Sequence, residues 1–289
     1  MKNQIKFKAI GTSWVIDIPN SFMNEEEITM VIKKRIDEFD KTYSRFREDS
    51  LVSEISRMAG VYNFPTDSGH MLNLYRKLYV ITDGLMTPLI GQALVDTGYD
   101  NKYSLLPKKE IREVRKWDNV MNYFDFTLET KEPVILDFGA MGKGYLIDII
   151  SEILQQNNIF NYTINAGGDI AYKNTGGKKL RVGLENPSDF NEAVGVAEIL
   201  DESICGSSGS RRAWGKYHHI INPETIESPG HILALWVVAK TTLLADALAT
   251  ALFFVSPEKL IEKYNFEYAI INKDNSVLVS KNFPGSFFV

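Results

Sequence analysis

Asp246 and Thr250 lie four residues apart in Ala245-Asp246-Ala247-Leu248-Ala249-Thr250-Ala251, so on a helix they share one face. A carboxylate beside a hydroxyl suits a hard cation such as Mg2+, which takes oxygen ligands. The same pair also suits plain architecture, with Asp246 capping a neighbouring backbone and Thr250 bonding back to its own helix. A second segment, Leu136-Asp137-Phe138-Gly139-Ala140-Met141-Gly142-Lys143-Gly144-Tyr145, sets glycines where a buried strand ends at Asp137 and a helix begins after Gly144. Glycines there let backbone approach a ligand, the first helical turn attracts anions, and Lys143 adds a positive charge. A structural turn is the competing reading. A P-loop is excluded, because Gly144 stands where that motif needs Ser or Thr.

Two further segments carry polar groups. Ser207-Ser208-Gly209-Ser210 is followed by Tyr217-His218-His219-Ile220-Ile221-Asn222-Pro223-Glu224-Thr225. Paired histidines suggest zinc, but neighbours on a strand point to opposite faces and do not chelate together. A single histidine near a polar loop fits a proton acceptor, since its pKa lies near neutral. Asn165-Ala166-Gly167-Gly168-Asp169 follows a strand and reads as a ligand-facing turn or as the hairpin that Gly-Gly favours. Cys205, the single cysteine, lacks any nucleophile signature and reads as a small buried side chain.

The elements that must position these groups follow from apolar periodicity. Ile5, Phe7 and Ala9, then Trp14, Ile16 and Ile18, alternate about Gly11 and predict an N-terminal hairpin. Asn24 as N-cap, followed by Ile28, Val31, Ile32, Ile36 and Phe39, predicts a long helix. Ser50 caps a short one carrying Leu51, Ile55 and Met58 up to Gly60; Met71, Leu74, Tyr75, Leu78 and Ile81 form the next, ending near Gly84. Strands are expected at 134–136, 162–164, 180–184, 194–199 and 232–238, helices at 145–154 and 243–254, and a closing hairpin at 266–271 and 276–280. Helices and strands do not alternate as βαβ, so the class is α+β, read as one cooperative unit over residues 1–289.

Composition sets the outer limits. Of 289 residues, 44% are hydrophobic and 24% charged, which is ordinary globular usage. With 32 basic and 37 acidic side chains the net charge is −5, which argues against a nucleic-acid partner held by phosphate neutralisation. No apolar run is long enough for a transmembrane segment, and no signal-peptide stretch follows Met1. A cytoplasmic location is the expectation, the alternative being an exported mature form without its leader.

Together and in this order the segments resemble the ApbE family of FAD:protein FMN transferases. Ile10-Gly11-Thr12 is similar to the family's Met-Gly-Thr, and Ser44-Arg45-Phe46 with Asp49-Ser50-Leu51-Val52-Ser53 to its Ser-x-Leu-Ser region. Asp83-Gly84-Leu85-Met86-Thr87-Pro88 resembles Gly-x-Phe-Asp-Pro-Thr, without the Asp, and residues 136–144 resemble Leu-Asp-Leu-Gly-Ala-Ile-Ala-Lys-Gly. Residues 165–169 fit Asn-x-Gly-Gly-Asp, and Ser207-Ser208-Gly209 fits Thr-Ser-Gly. Residues 219–225 fit His-Ile-Ile-Asp-Pro-x-Thr-Gly with Asn222 for Asp and Ile226 for the final Gly; residues 245–250 match Ala-Asp-Ala-Leu-Ala-Thr unchanged.

The resemblance implies an α+β fold of mostly antiparallel sheets with flanking helices, in two intimate subdomains. It also implies Mg2+-dependent cleavage of FAD, release of AMP, and attachment of FMN to a Thr or Ser hydroxyl of an acceptor protein. Asp246, Thr250 and the backbone carbonyl of Ala140 would hold the metal. Asp137 and Lys143 would hold FAD, with Asn165, Gly167, Gly168 and Ser208 close by. Ile10, Phe46, Leu85, Met86, Thr87 and Ile220 would line the ring pocket. His219 would take the proton from the incoming hydroxyl, leaving His218 structural. Two alternatives use the same residues: a hydrolase giving FMN and AMP, and a carrier that holds FAD without consuming it.

Overall fold

The computed structural model describes residues 3–19 and 25–288, so the expected cap at Asn24 lies outside the described residues. The chain opens with the hairpin β1 (Asn3–Ala9) and β2 (Thr12–Ile18), then runs through α1 (Glu25–Tyr43), α2 (Leu51–Ile55), β3 (Gly60–Asn63) and α3 (Gly69–Ile81). Next come α4 (Gly91–Asp96), α5 (Trp117–Val120), the hairpin β4 (Met121–Phe124) and β5 (Thr127–Thr130), and α6 (Gly142–Gln156). Strands β6 (Tyr162–Ala166), β7 (Asp169–Lys173), β8 (Leu180–Glu185), β9 (Ala193–Ile199), β10 (Ser203–Ser208), β11 (Ala213–Trp214), β12 (Tyr217–His218) and β13 (Ile232–Ala239) follow. The chain closes with α7 (Thr242–Ala251), α8 (Pro257–Ile261), β14 (Glu267–Asn272), β15 (Val277–Val279) and β16 (Gly285–Phe287).

The backbone of the architecture is an eight-stranded sheet in the order β1-β2-β6-β7-β10-β13-β14-β15. Every pairing in it is antiparallel. Small sheets β3-β5-β4, β16-β9-β8 and β11-β12 complete it. β13 shows why its sequence is a nearly unbroken apolar run. Leu235, Val237 and Ala239 enter the main core with α6 and α7, while Ala234, Trp236 and Val238 pack on the other face with Leu184, Ala197 and Ile199. A strand covered on both faces has no polar side to show.

Turn chemistry sets the register. Ile10 and Gly11 between β1 and β2 have φ of 41° and 75°, and Gly167 and Gly168 between β6 and β7 have 64° and 105°. Two left-handed residues in a row match the twist of a tight hairpin. At Ile10 this is a costly conformation for a β-branched side chain, and such outliers concentrate at functional sites.

Several local expectations are corrected. Residues 134–136 form no strand; Val134 N–H bonds Ile55 O and Asp137 N–H bonds Pro88 O, so this extended segment joins loops and helix ends rather than a ladder. α6 begins at Gly142, inside the glycine motif and not after Gly144. α2 stops at Ile55, which leaves Met58 exposed outside it, and α7 stops at Ala251. β3, β4, β5, β7 and β10 are strands without a clear apolar alternation in the chain. No helix among the described residues is long and apolar enough to cross a membrane.

Candidate active site

The site is built where the start of α6 meets α7. Gly144 makes that meeting possible: a Cβ there would lie 2.3 Å from Thr242 O and 2.7 Å from the Asp246 Cβ. With no side chain between them, Gly144 N–H donates to Asp246 Oδ2 at 2.8 Å. One turn on, the Thr250 hydroxyl donates to Ala140 O at 3.2 Å. The carboxylate, the hydroxyl and the carbonyl therefore come together from positions more than a hundred residues apart. Asp246 is 6% exposed. Burial raises its pKa, opposed by the positive charge of Lys143 and by the Gly144 N–H. Asp148 fixes the other end of the contact, accepting from the N–H groups of Thr242 and Leu243 at 2.8 Å each and so capping α7. Burial lifts the Asp148 pKa to about 6.

Lys143, on the first turn of α6, pairs with the buried Asp169 at the start of β7. This contact ties α6 to the β6–β7 turn, where Asn165 Oδ1 accepts from Gly168 N–H at 3.0 Å. Asp137 accepts from Gly139 N–H at 2.8 Å and from the Arg45 guanidinium. Phe46 follows directly, with the Arg45 guanidinium carbon 4.2 Å from its ring centroid.

His219 lies just beyond β12. Its Nδ1 is buried without a hydrogen-bond partner. Burial first, then the charges of Arg212, His218 and Lys143, push its pKa down to about 3, with Asp137 acting the other way. These charges couple His219 to the Asp137 and Lys143 region. Both ring nitrogens of His218 meet backbone: Nδ1 accepts from Ile220 N–H at 3.2 Å, and Nε2 lies 3.0 Å from Pro229 O.

The remaining expected residues sort by where their polar or apolar groups go. Met86 is buried in the main core. The Thr87 hydroxyl accepts from Leu89 N–H at 3.2 Å and so caps the following turn, and both side chains are buried. Ser208 Oγ donates to Leu233 O at 3.0 Å and accepts from Ser210 N–H at 3.1 Å. Ile220 belongs to the core, whereas Ile10 is half-buried against it. Leu85 lines an open cleft of about 370 Å³ with Phe253 and Phe254 and with the loop residues Asn222 and Thr225. The two family departures have clear physical readings here. Asn222 Oδ1 accepts from Glu224 and Thr225 N–H at 2.8 and 3.2 Å, as an Asp oxygen would. Ile226 sits at φ 55°, the left-handed region that explains a glycine at this place.

Two arginines and an aromatic cluster escaped the reading of the chain. Arg45 is ion-paired to Asp137 with a 5% exposed side chain, and Arg212 acts electrostatically on His219, Asp246 and Tyr99. Tyr99 and Tyr103 flank Phe46, and Trp214 stacks on Tyr99, in contacts that join distant loops. The only local signal was the adjacency of Arg45 to Phe46 and of Arg212 to the Ser207–Ser210 tract.

Fold and site together define a class, an antiparallel α+β scaffold in which a buried carboxylate on one helix meets the glycine-rich start of another. The ApbE family profile matches residues 10–270, and the chain belongs to this family. It is 26% identical over 309 residues to the FAD:protein FMN transferase of Haemophilus influenzae, covering 95% of this chain and 88% of that one. It is 24% identical over 276 residues to the Escherichia coli K12 protein of the same name, covering 88% and 79%. The flavin transferase ApbE of Vibrio cholerae superposes with a TM-score of 0.82 at 21% identity, covering 98% of each chain. The ApbE protein of Thermotoga maritima gives 0.84 at 19%, again over 98% of each.

Proposed function

We propose that this protein transfers FMN from FAD to a Thr or Ser hydroxyl of an acceptor protein and releases AMP. The observation that carries the reading is the α6–α7 contact, which gathers Asp246, Thr250 and Ala140 O beside Lys143. Family membership supports it, as do the names of the relatives in Haemophilus influenzae and Escherichia coli.

The donor set fits Mg2+ in kind, being a buried carboxylate, a hydroxyl and a carbonyl, all hard oxygens. When bound, the ion would supply positive charge against the diphosphate oxygens. The chain's own residues do the rest. Lys143 adds fixed charge beside the same oxygens, and Asp137, steadied by Arg45, orients the dinucleotide. His219 takes the hydroxyl proton as the acceptor oxygen bonds to the FMN phosphorus; the bond from that phosphorus to the bridging oxygen breaks, and AMP leaves. The ring is neutral in the free protein because burial and nearby cations disfavour its charged form. An anionic substrate that neutralises Arg212 and Lys143 raises its basicity toward the useful range.

The test mixes the protein with FAD, MgCl2 and an acceptor domain bearing a Thr or Ser flavinylation site. Fluorescence of the acceptor band after denaturing electrophoresis is expected. FMN and AMP accumulating without a labelled acceptor would replace transfer by hydrolysis, and unchanged FAD would leave a carrier.

A further inference from the structure

Phe46 is already stacked. The Tyr103 ring lies parallel to it, with centroids 5.3 Å apart and planes 4° apart. This is the arrangement a planar heterocycle adopts on an aromatic side chain. Tyr99 meets Phe46 edge-on at 5.6 Å, and is itself anchored by stacking on Trp214, whose Nε1–H donates to Thr97 O at 2.7 Å. Tyr99 is therefore part of the wall.

Tyr103 is held differently. It is 51% exposed, and its φ is 50°, a left-handed conformation that a tyrosine adopts at a cost. It rides at the tip of the stretch 97–116, which contains no helix or strand. The stretch is pinned on both sides of the tip. Leu105 N–H donates to Gly98 O at 2.9 Å, and the buried Asp96 carboxylate accepts from Lys108 Nζ and from Arg112 Nε and Nη2 at 2.8 Å each. Within the tip, Asp100 accepts from the N–H groups of Lys102 and Ser104. The result is a small self-bonded tip between two fixed points, with one exposed ring laid on Phe46. Beside it, Arg45 Nη2 is buried with no hydrogen-bond partner, a donor facing no acceptor in the free protein.

We infer that Tyr103 is an internal competitor for the stacking face of Phe46: it holds in the free protein the place that a planar ring of FAD takes in the complex, and the tip at 100–104 swings aside as the ligand enters. The inference rests on the FAD reading above. Its energetic consequence is definite. A ligand that must displace Tyr103 binds with an affinity reduced by the fraction of molecules in which the tip is open.

The test is a titration of FAD, by flavin fluorescence with EDTA present to prevent turnover, into wild type and three variants. Tyr103→Ala is expected to bind FAD about 2- to 10-fold more tightly, the range that one stacked aromatic pair is worth. Tyr103→Phe should match wild type, and Tyr103→Trp, which covers more of Phe46, should bind more weakly, which keeps the inference open to test even if the alanine protein folds poorly. FMN and AMP titrated separately assign the ring: tightening in Tyr103→Ala is expected for one of them only. Wild-type binding of FAD with equal or weaker binding in Tyr103→Ala overturns the inference and leaves the FAD reading standing. So does identical behaviour of FMN and AMP. No binding of FAD by any of the four proteins overturns the FAD reading itself, and the competitor with it.

Discussion

His219 holds a neutral imidazole in a place where burial and the charges of Arg212 and Lys143 push its pKa down to about 3, against about 6.5 for an unfolded histidine. Between those values the unfolded chain binds more protons than the fold. The contribution to stability is therefore complete above pH 6.5 and is lost as the pH falls toward 3. Denaturant unfolding at pH 7 and pH 5 should show a larger fall in wild type than in His219→Gln. Equal falls would mean that the ring titrates in the fold as it does in the unfolded chain. For the reaction, His219→Ala is expected to bind FAD like wild type and to lose about two to four orders of magnitude in transfer rate. Lost FAD binding in that variant would make the histidine an architectural residue. At this scale the chain was informative where a residue's chemistry is its own, as with the oxygen donors Asp246 and Thr250. It was silent on burial, which decides the protonation state of His219.

At the scale of elements, the contact between α6 and α7 depends on one missing side chain. Gly144→Ala puts a methyl group within 2.3 Å of Thr242 O, which is backbone and cannot turn away. The expected cost is about 1–3 kcal/mol, as for other overpacked sites, together with loss of transfer as the helices separate and Asp246 leaves the Gly144 N–H. Urea unfolding and an activity assay read the two effects. An alanine variant with both unchanged would show that the close approach is not what assembles the site. The long helices and strands such as β2, β6 and β13 were legible from a periodic apolar face or an unbroken apolar run, whereas β7 and β10, at the centre of the sheet, carry neither. The segment 134–136 differs from its expected strand for a physical reason: Val134 and Leu136 are buried in the main core while the backbone bonds Ile55 O and Pro88 O, and burial without a neighbouring strand looks the same in sequence as burial in a sheet.

At the scale of the molecule, the cores are built of apolar side chains that pack directly on one another, and among the described residues no group of three His, Cys, Asp or Glu side chains is placed to hold an ion. Mg2+ is thus expected to serve the reaction and not the fold. Treatment with EDTA should abolish transfer, leave Tm unchanged, and be reversed by added MgCl2. Full transfer in the chelator would remove the ion from the mechanism, and a fall in Tm would give it a structural role.

Local sequence by itself determined the α+β class, the hairpin turns, most helices and the ordered set of motifs that carry family membership, because these depend on apolar period, backbone freedom and residue chemistry over short spans. Only the tertiary structure decided that Asp246 meets Gly144 across 102 residues and Thr250 meets Ala140 across 110, and that Tyr103 lies on Phe46. Such meetings are set by how helices and loops pack over the sheet, and the choice of a distant partner leaves no periodic trace in either segment.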